Sequence, residues 1–309
     1  MALSGDTLLE RMHLKRQLSM WRLIAVGVAI FFLVQLLEFE NSISPVSGDF
    51  IARLTVNDVI VDDPKRNKLL DEIRDNDSVK ALIVHLDTPG GTALGGESLY
   101  RKLKSIREKK PVIAVMRTVC ASAGYMTAIA ADRIYALEGT ITGSIGVIMQ
   151  TANITGMAEK LGIEPIILKS GPNKASPNPV EEFTEAQRAV TKLALDDFFQ
   201  IFLDMVEAER PLLKEEVLEL ADGRIYTGRQ AVKNKLIDEI GDEDTALKWL
   251  QENKELNDKL EVKDMKVKKE KPSLLDKLAD VSGLAFLADE INTRQRLDGM
   301  LLLWQPAAF

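Results

Sequence analysis

The chain has 309 residues, 46% of them hydrophobic, a formal net charge of −7 and a single cysteine. That length and apolar content can bury a sizeable core, which excludes disorder as a description of the whole chain. The acidic balance argues against a nucleic-acid partner, which needs a concentrated basic face, and one cysteine with two histidines offers no zinc set.

The first element in chain order is Leu23–Leu37, LIAVGVAIFFLVQLL, which with Met20 and Trp21 reaches close to the length that spans a bilayer. Arg11, Lys15, Arg16 and Arg22 precede it and Glu38 and Glu40 follow, so the N-terminal side is expected in the cytoplasm and the remainder outside. The following EFENSISPVSGD has no clear small-x-small cleavage site. The expectation is an uncleaved signal-anchor, with a cytoplasmic segment at 1–19, a single transmembrane helix at 20–38 and a linker at 39–49. Cys120 then has no internal disulfide partner and reads as strand packing.

Beyond the linker, strands and helices alternate. Phe50–Val56 and Val59–Val61 read as strands, and Pro64–Asn76 as a helix with Leu69, Leu70 and Ile73 on one face. Val79–Leu86 is an apolar strand that ends in Asp87-Thr88-Pro89-Gly90-Gly91, followed by a helix at Gly95–Lys109. Pro111–Val119 is the next strand and Ser122–Ala131 the next helix; strands are expected at Arg133–Ala136, Gly146–Met149 and Pro165–Leu168, with a helix near Gly156–Leu161. Ser170–Pro179 reads as a loop, and Thr184–Glu209 as one long helix capped near Thr184. Helices follow around Lys214–Leu220, Gly228–Lys235 and Asp242–Asn253. The pattern is that of an α/β domain with a largely parallel sheet, spanning 50–265. The Lys266–Lys271 run, KVKKEK, marks a change to an apolar tail at 266–309, whose Leu274–Trp304 stretch is expected to be helical. Such a tail needs a partner: another subunit, the membrane surface or the protein's own groove.

The chemistry points to Ser122. In PVIAVMRTVCASAGYMTAIAAD the β-branched residues stop where Ala, Gly and Met begin, which puts Ser122 at a strand-to-helix junction. There the free N–H groups of a first helical turn can meet a developing oxyanion. For a serine taken in isolation, an ordinary helix cap explains this placement as well. A serine nucleophile also needs a base. His13 lies beyond the expected anchor and His85 sits inside an apolar strand, where a structural role is the ordinary one. The remaining base is a lysine whose burial lowers a pKa that is ordinarily about 10.4. Lys174, in the SGPNKASPNP loop with no acidic residue between Glu164 and Glu181, is the candidate, and Lys169 is its rival.

Together DTPGG, ASAGYMTAIAAD, TGSIGVIM, SGPNKASPNPVEEFTEAQ and RIYTGRQAVKNKLIDEIG resemble the bacterial signal peptide peptidase A family over most of Phe50–Leu250. The resemblance implies a ClpP/crotonase-like spiral of β-β-α units and a serine endopeptidase with a Ser–Lys dyad. It maps the nucleophile onto Ser122 and the general base onto Lys174, 52 residues downstream. It maps a lysine-positioning serine onto Ser144 and an oxyanion hole onto Gly91, with Gly90 beside it and the Ala123 N–H as second donor. It further implies residual signal peptides and other apolar peptides as substrates, a bacterial inner-membrane location, a homo-oligomer and no cofactor or metal. Ala123 departs from the family, standing where glycine is common, and Pro172 precedes the lysine loop. Two other readings are a non-catalytic membrane scaffold of the same family and a crotonase-type acyl-CoA enzyme. The intact Ser122, Lys174 and Ser144 set opposes the first, and the anchor opposes the second. The end of the tail, MLLLWQPAAF, is similar to the end of a signal peptide, so it is a further candidate to occupy the active-site groove and be trimmed there, with subunit packing as its plainer role.

Overall fold

The computed structural model describes residues 20–22, 25–26, 48–254, 256–267 and 301–303. Residues 20–22 and 25–26 are helical, and the rest of the expected anchor lies outside the described residues. No helix among the described residues is long and apolar enough to cross a membrane. The account below concerns the compact unit that begins at Asp49.

A parallel sheet is built from β1 (Phe50–Asn57), β2 (Val79–Thr88) and β4 (Val112–Ala121). β9 (Glu261–Met265) adds to the outer edge of β1, also parallel. On its other side β4 forks: Ile113–Met116 pair with β5 (Arg133–Ala136), and Val119–Ala121 pair with β6 (Ile141–Gly143). β7 (Ile225–Thr227) lies antiparallel to β6, and β8 (Glu239–Ile240) parallel to β5. A second, two-stranded sheet joins β3 (Gly90–Thr92) to β10 (Leu301–Leu303).

Side chains alternate across the strands. Ala52, Leu54, Val56, Leu82, Val84 and Leu86 face the larger core, which α2 (Ala93–Arg107) and α3 (Ala123–Ala128) close with Leu99, Leu103, Ile106 and Met126. Ile51, Ala81, Ile83, Ile113 and Val115 face the smaller one, sealed by Ala246 and Leu250 of α8 (Glu243–Lys254). Caps follow local chemistry: Asp63 accepts from Lys65 and Arg66 N–H ahead of α1 (Pro64–Asp75), and Thr184 forms a capping box with Gln187 at the start of α5 (Glu185–Glu209). α5 changes character along its length. Phe202, Leu203 and Val206 are buried near its end, whereas Val190 and Leu193 are exposed near its start. Shorter helices α4 (Thr155–Lys160), α6 (Lys214–Leu220) and α7 (Gly228–Lys233) complete the unit.

Several sequence expectations are corrected. Of Val59–Val61 only Ile60 pairs, as a single bridge to Gly91. The strand expected at Gly146–Met149 lies earlier, at Ile141–Gly143, because that segment pairs with Val119–Ala121. Pro165–Leu168 takes no strand, and Ile166 and Leu168 stand open to solvent. Strands β7, β8 and β9 were not expected at all. In the tail, Leu301–Leu303 is a strand and not a helix, because the edge of β3 offers it backbone partners. The rest of Leu274–Trp304 lies outside the described residues.

The long helix is tied to α2 by one buried carboxylate. Glu209 accepts from Tyr100 Oη at 2.7 Å, Lys104 Nζ at 2.6 Å and Arg107 Nη2 at 2.8 Å. Burial alone would raise its pKa, but these three donors hold it below the ordinary value. A lowered carboxylate pKa stabilises the fold fully above the ordinary glutamate range and ceases to do so as pH falls through the folded value. Glu209→Gln should therefore lower stability at pH 7 by about 1–3 kcal/mol, and the deficit should shrink in acid. Denaturant melts of both proteins at pH 7 and pH 4 check this.

Candidate active site

β4 ends at Ala121, and its last three residues run parallel to β6 with Ala121 opposite Gly143. Ser122 and Ser144, the next residue after each strand, therefore leave the sheet side by side. Both have left-handed backbones, with φ 54° at Ser122 and 50° at Ser144. Two anchors hold them: the Ser122 N–H donates to the Gly143 carbonyl at 2.8 Å, and the Ser144 N–H donates to the Arg224 carbonyl at 2.8 Å. Gly143 itself has φ +80°, and a Cβ there would lie 2.5 Å from Tyr226 Cδ2. No side chain fits.

The Ser122 hydroxyl makes no capping bond to α3. The cap explanation of the sequence is thus removed, and a torsion pair of φ 54°, ψ −116° is paid without the usual return. A non-glycine residue held there costs about 1–3 kcal/mol, a strain concentrated at functional turns. Ala123 opens α3, so its N–H belongs to the first turn, which has no intrahelical acceptor.

The glycine turn lies against this junction. Thr88 is the register partner of Cys120, and Gly124 packs so closely on Thr88 that a Cβ would come within 2.7 Å of its Cγ2. Asp87 accepts the Val119 N–H at 3.1 Å, bracing the irregularity where β2 and β4 change register. The Gly90 carbonyl accepts from Ile60 N–H at 2.8 Å, and the Thr92 N–H donates to the Ile60 carbonyl at 2.9 Å. Those two groups face Ile60, so by strand alternation the Gly91 N–H and carbonyl face the opposite way. A Cβ at Gly91 would meet the Ile60 carbonyl oxygen at 1.8 Å. Glycine is obligatory there because of a contact with a residue 31 positions earlier.

The structure thus gathers Ser122, Ser144, Gly90, Gly91 and Ala123 into one place. Neither candidate lysine is hydrogen-bonded to them among the described residues. Lys174 is exposed, its own N–H bonds to the Gly171 carbonyl at 3.1 Å, and its side chain makes no hydrogen bond or ion pair among the described residues. Lys169 is ion-paired with Glu181, which also accepts from Asn178; the two donors hold that carboxyl below its ordinary range. His85 is structural: its Nε2 lies 2.5 Å from Glu243, beside Arg53, and burial pushes the imidazole down. Cys120 is buried in the core and burial pushes its thiol up, as befits packing. The parts played by Ile60, Asp87, Arg224 and Tyr226 were not assigned from the sequence, because each acts across a long sequence separation, although the last three lie in the motifs DTPGG and RIYTG.

The model of peptidase family S49 matches residues 104–257. A protease-named protein of Synechocystis is 40% identical over 169 residues, covering 55% of this chain and 61% of that protein. A protease-named protein of Methanocaldococcus jannaschii is 33% identical over 74% of this chain and 78% of its own length. A protein of Enterococcus faecium named as signal peptide peptidase SppA is 33% identical, covering 69% of this chain and 66% of that one. Among solved structures, a mutant of the membrane-bound stomatin-specific protease 1510-N matches 72% of this chain and 99% of its own at 18% identity, with a TM-score of 0.46.

Ser122→Gly should relieve the left-handed backbone and raise stability by about 1 kcal/mol, while Gly91→Ala should lower it by about 1–3 kcal/mol. Thermal melts of the two variants beside the parent protein test both signs.

Proposed function

This chain belongs to peptidase family S49, the SppA family of serine peptidases, and we propose that within it the chain is a membrane-anchored endopeptidase acting through Ser122 and Lys174. The observation that carries the reading is the buried, left-handed Ser122, whose hydroxyl caps nothing and whose neighbours are Ser144 and the Gly90–Gly91 turn. In the proposed reaction, neutral Lys174 takes the Ser122 proton as Oγ attacks the peptide carbonyl. The N–H groups of Gly91 and Ala123 receive the oxyanion. The lysine returns the proton to the leaving amine, and water then releases the acyl group by the same path. Ser144 positions the lysine amine.

Lys169 is the weaker candidate for the base because its ammonium is already committed to Glu181. Lys174 has no such partner among the described residues, but it stands in water. Its cover comes, in this reading, from a bound peptide and a second copy of the chain. Exposed apolar residues just before its loop support that: Ile166 is 88% exposed and Leu168 96%. These features suit a homo-oligomer with an extracytoplasmic catalytic unit on a single-pass anchor in a bacterial inner membrane, working on apolar peptides such as signal peptides left in the bilayer. The ClpP/crotonase-like β-β-α spiral belongs to the same reading.

On a labelled apolar peptide, Ser122→Ala and Lys174→Ala should each abolish turnover, about 10³-fold or more, while Lys169→Ala should retain it. A fluorophosphonate should label Ser122, read by peptide mass. A folded chain that neither reacts with it nor cleaves any peptide would be a scaffold.

A further inference from the structure

β4 is interrupted on both of its edges just before Ser122. Towards β2, Leu86 lies opposite Met116 and Thr88 opposite Cys120, so β2 advances two residues while β4 advances four. On the other edge, pairing with β5 ends at Met116 and pairing with β6 begins at Val119. Arg117 and Thr118 therefore have no register partner on either edge among the described residues. Such a bulge bends a strand and re-aims the residues beyond it. It persists only where the backbone groups it releases find other partners. Two side chains supply them. Asp87 Oδ1 accepts the Val119 N–H at 3.1 Å, and the Thr118 hydroxyl lies 3.4 Å from Oδ2 of the same carboxylate. From the other side, Thr140 Oγ1 donates to the Arg117 carbonyl at 2.8 Å.

Asp87 is also where the glycine turn begins. Its backbone lies opposite Asn57 of β1, and Gly91 follows it in the same turn, as Ser122 follows Val119 in β4. One carboxylate thus joins the arm that bears the proposed oxyanion N–H to the arm that bears the serine. We propose that Asp87 is a positioning residue of this site: its carboxylate holds the bulge in β4 and so sets the height of Ser122 against Gly91. The bond needs an acceptor at this reach and not a charge. A displacement of about 1 Å at a reacting group costs on the order of 10²-fold in rate. The bracing stands on strand register and hydrogen bonds alone, whereas its effect on turnover rests on the peptidase reading above.

Asp87→Asn keeps an acceptor oxygen at the same reach, and Asp87→Ala removes it. In the full-length chain, Asp87→Ala should speed hydrogen exchange at the Val119 and Ser122 amides about tenfold or more. On a labelled apolar peptide it should lower kcat about 30-fold or more, with KM within about twofold of the parent. Asp87→Asn should stay within about threefold of the parent in both measurements. Thr140→Val removes the hydroxyl on the other side of the bulge, should act in the same direction as Asp87→Ala, and carries the test if that variant does not fold. Parent-like kcat or unchanged exchange in the variant that carries the test overturns the proposal, whatever the melting temperature does. An Asp87→Asn chain as slow as Asp87→Ala overturns it too. Faster exchange with no turnover from any form, the parent included, upholds the bracing and overturns the peptidase reading instead.

Discussion

The pairing of Ala121 with Gly143 across two parallel strands fixes the remainder of the site. It sets Ser122 and Ser144 at the same level of the sheet, and it places the Gly143 carbonyl where the Ser122 N–H can reach it. Without that bond the left-handed serine would have no reason to persist, since its hydroxyl returns nothing to the helix that follows. The small residues of α3 serve the same end. Gly124 lets the helix close on Thr88, and Gly96 of α2 lies so near that a Cβ would come within 3.0 Å of the Ala123 side chain. Strain at one residue is thus held by close backbone packing on every side, which is how an over-determined turn survives.

What was legible in the sequence was local. β1, β2 and β4 announce themselves as β-branched, apolar runs, and the switch to Ala, Gly and Met after Cys120 locates Ser122 without any knowledge of partners. Helix starts were legible for the same reason, as Pro64 and the Thr184 cap show. The weak strands were not. β9 reads Glu-Val-Lys-Asp-Met and is a strand only because β1 has an open edge beside it. Leu301–Leu303 sits in an apolar run that fits helix and strand equally, and a distant glycine edge decides between them. DTPGG shows the same division: its glycines are visible, but the Ile60 carbonyl that forbids any side chain at Gly91 is not.

The proposed site has two halves of different physical standing. Ser122, Ser144 and Gly91 are held inside the fold by backbone hydrogen bonds and close packing, so their geometry is fixed before any peptide arrives. Lys174 and the edge of β3 are not finished in that sense, since one is open to water and the other is filled by the chain itself. A lysine acts as a base only when something strips its water away, and the apolar residues flanking its loop are turned outward. In the proposed reading, cover over the lysine loop comes from a bound peptide and a neighbouring subunit together. In that reading a serine fixed by the fold is paired with a base that is completed only when a peptide is bound.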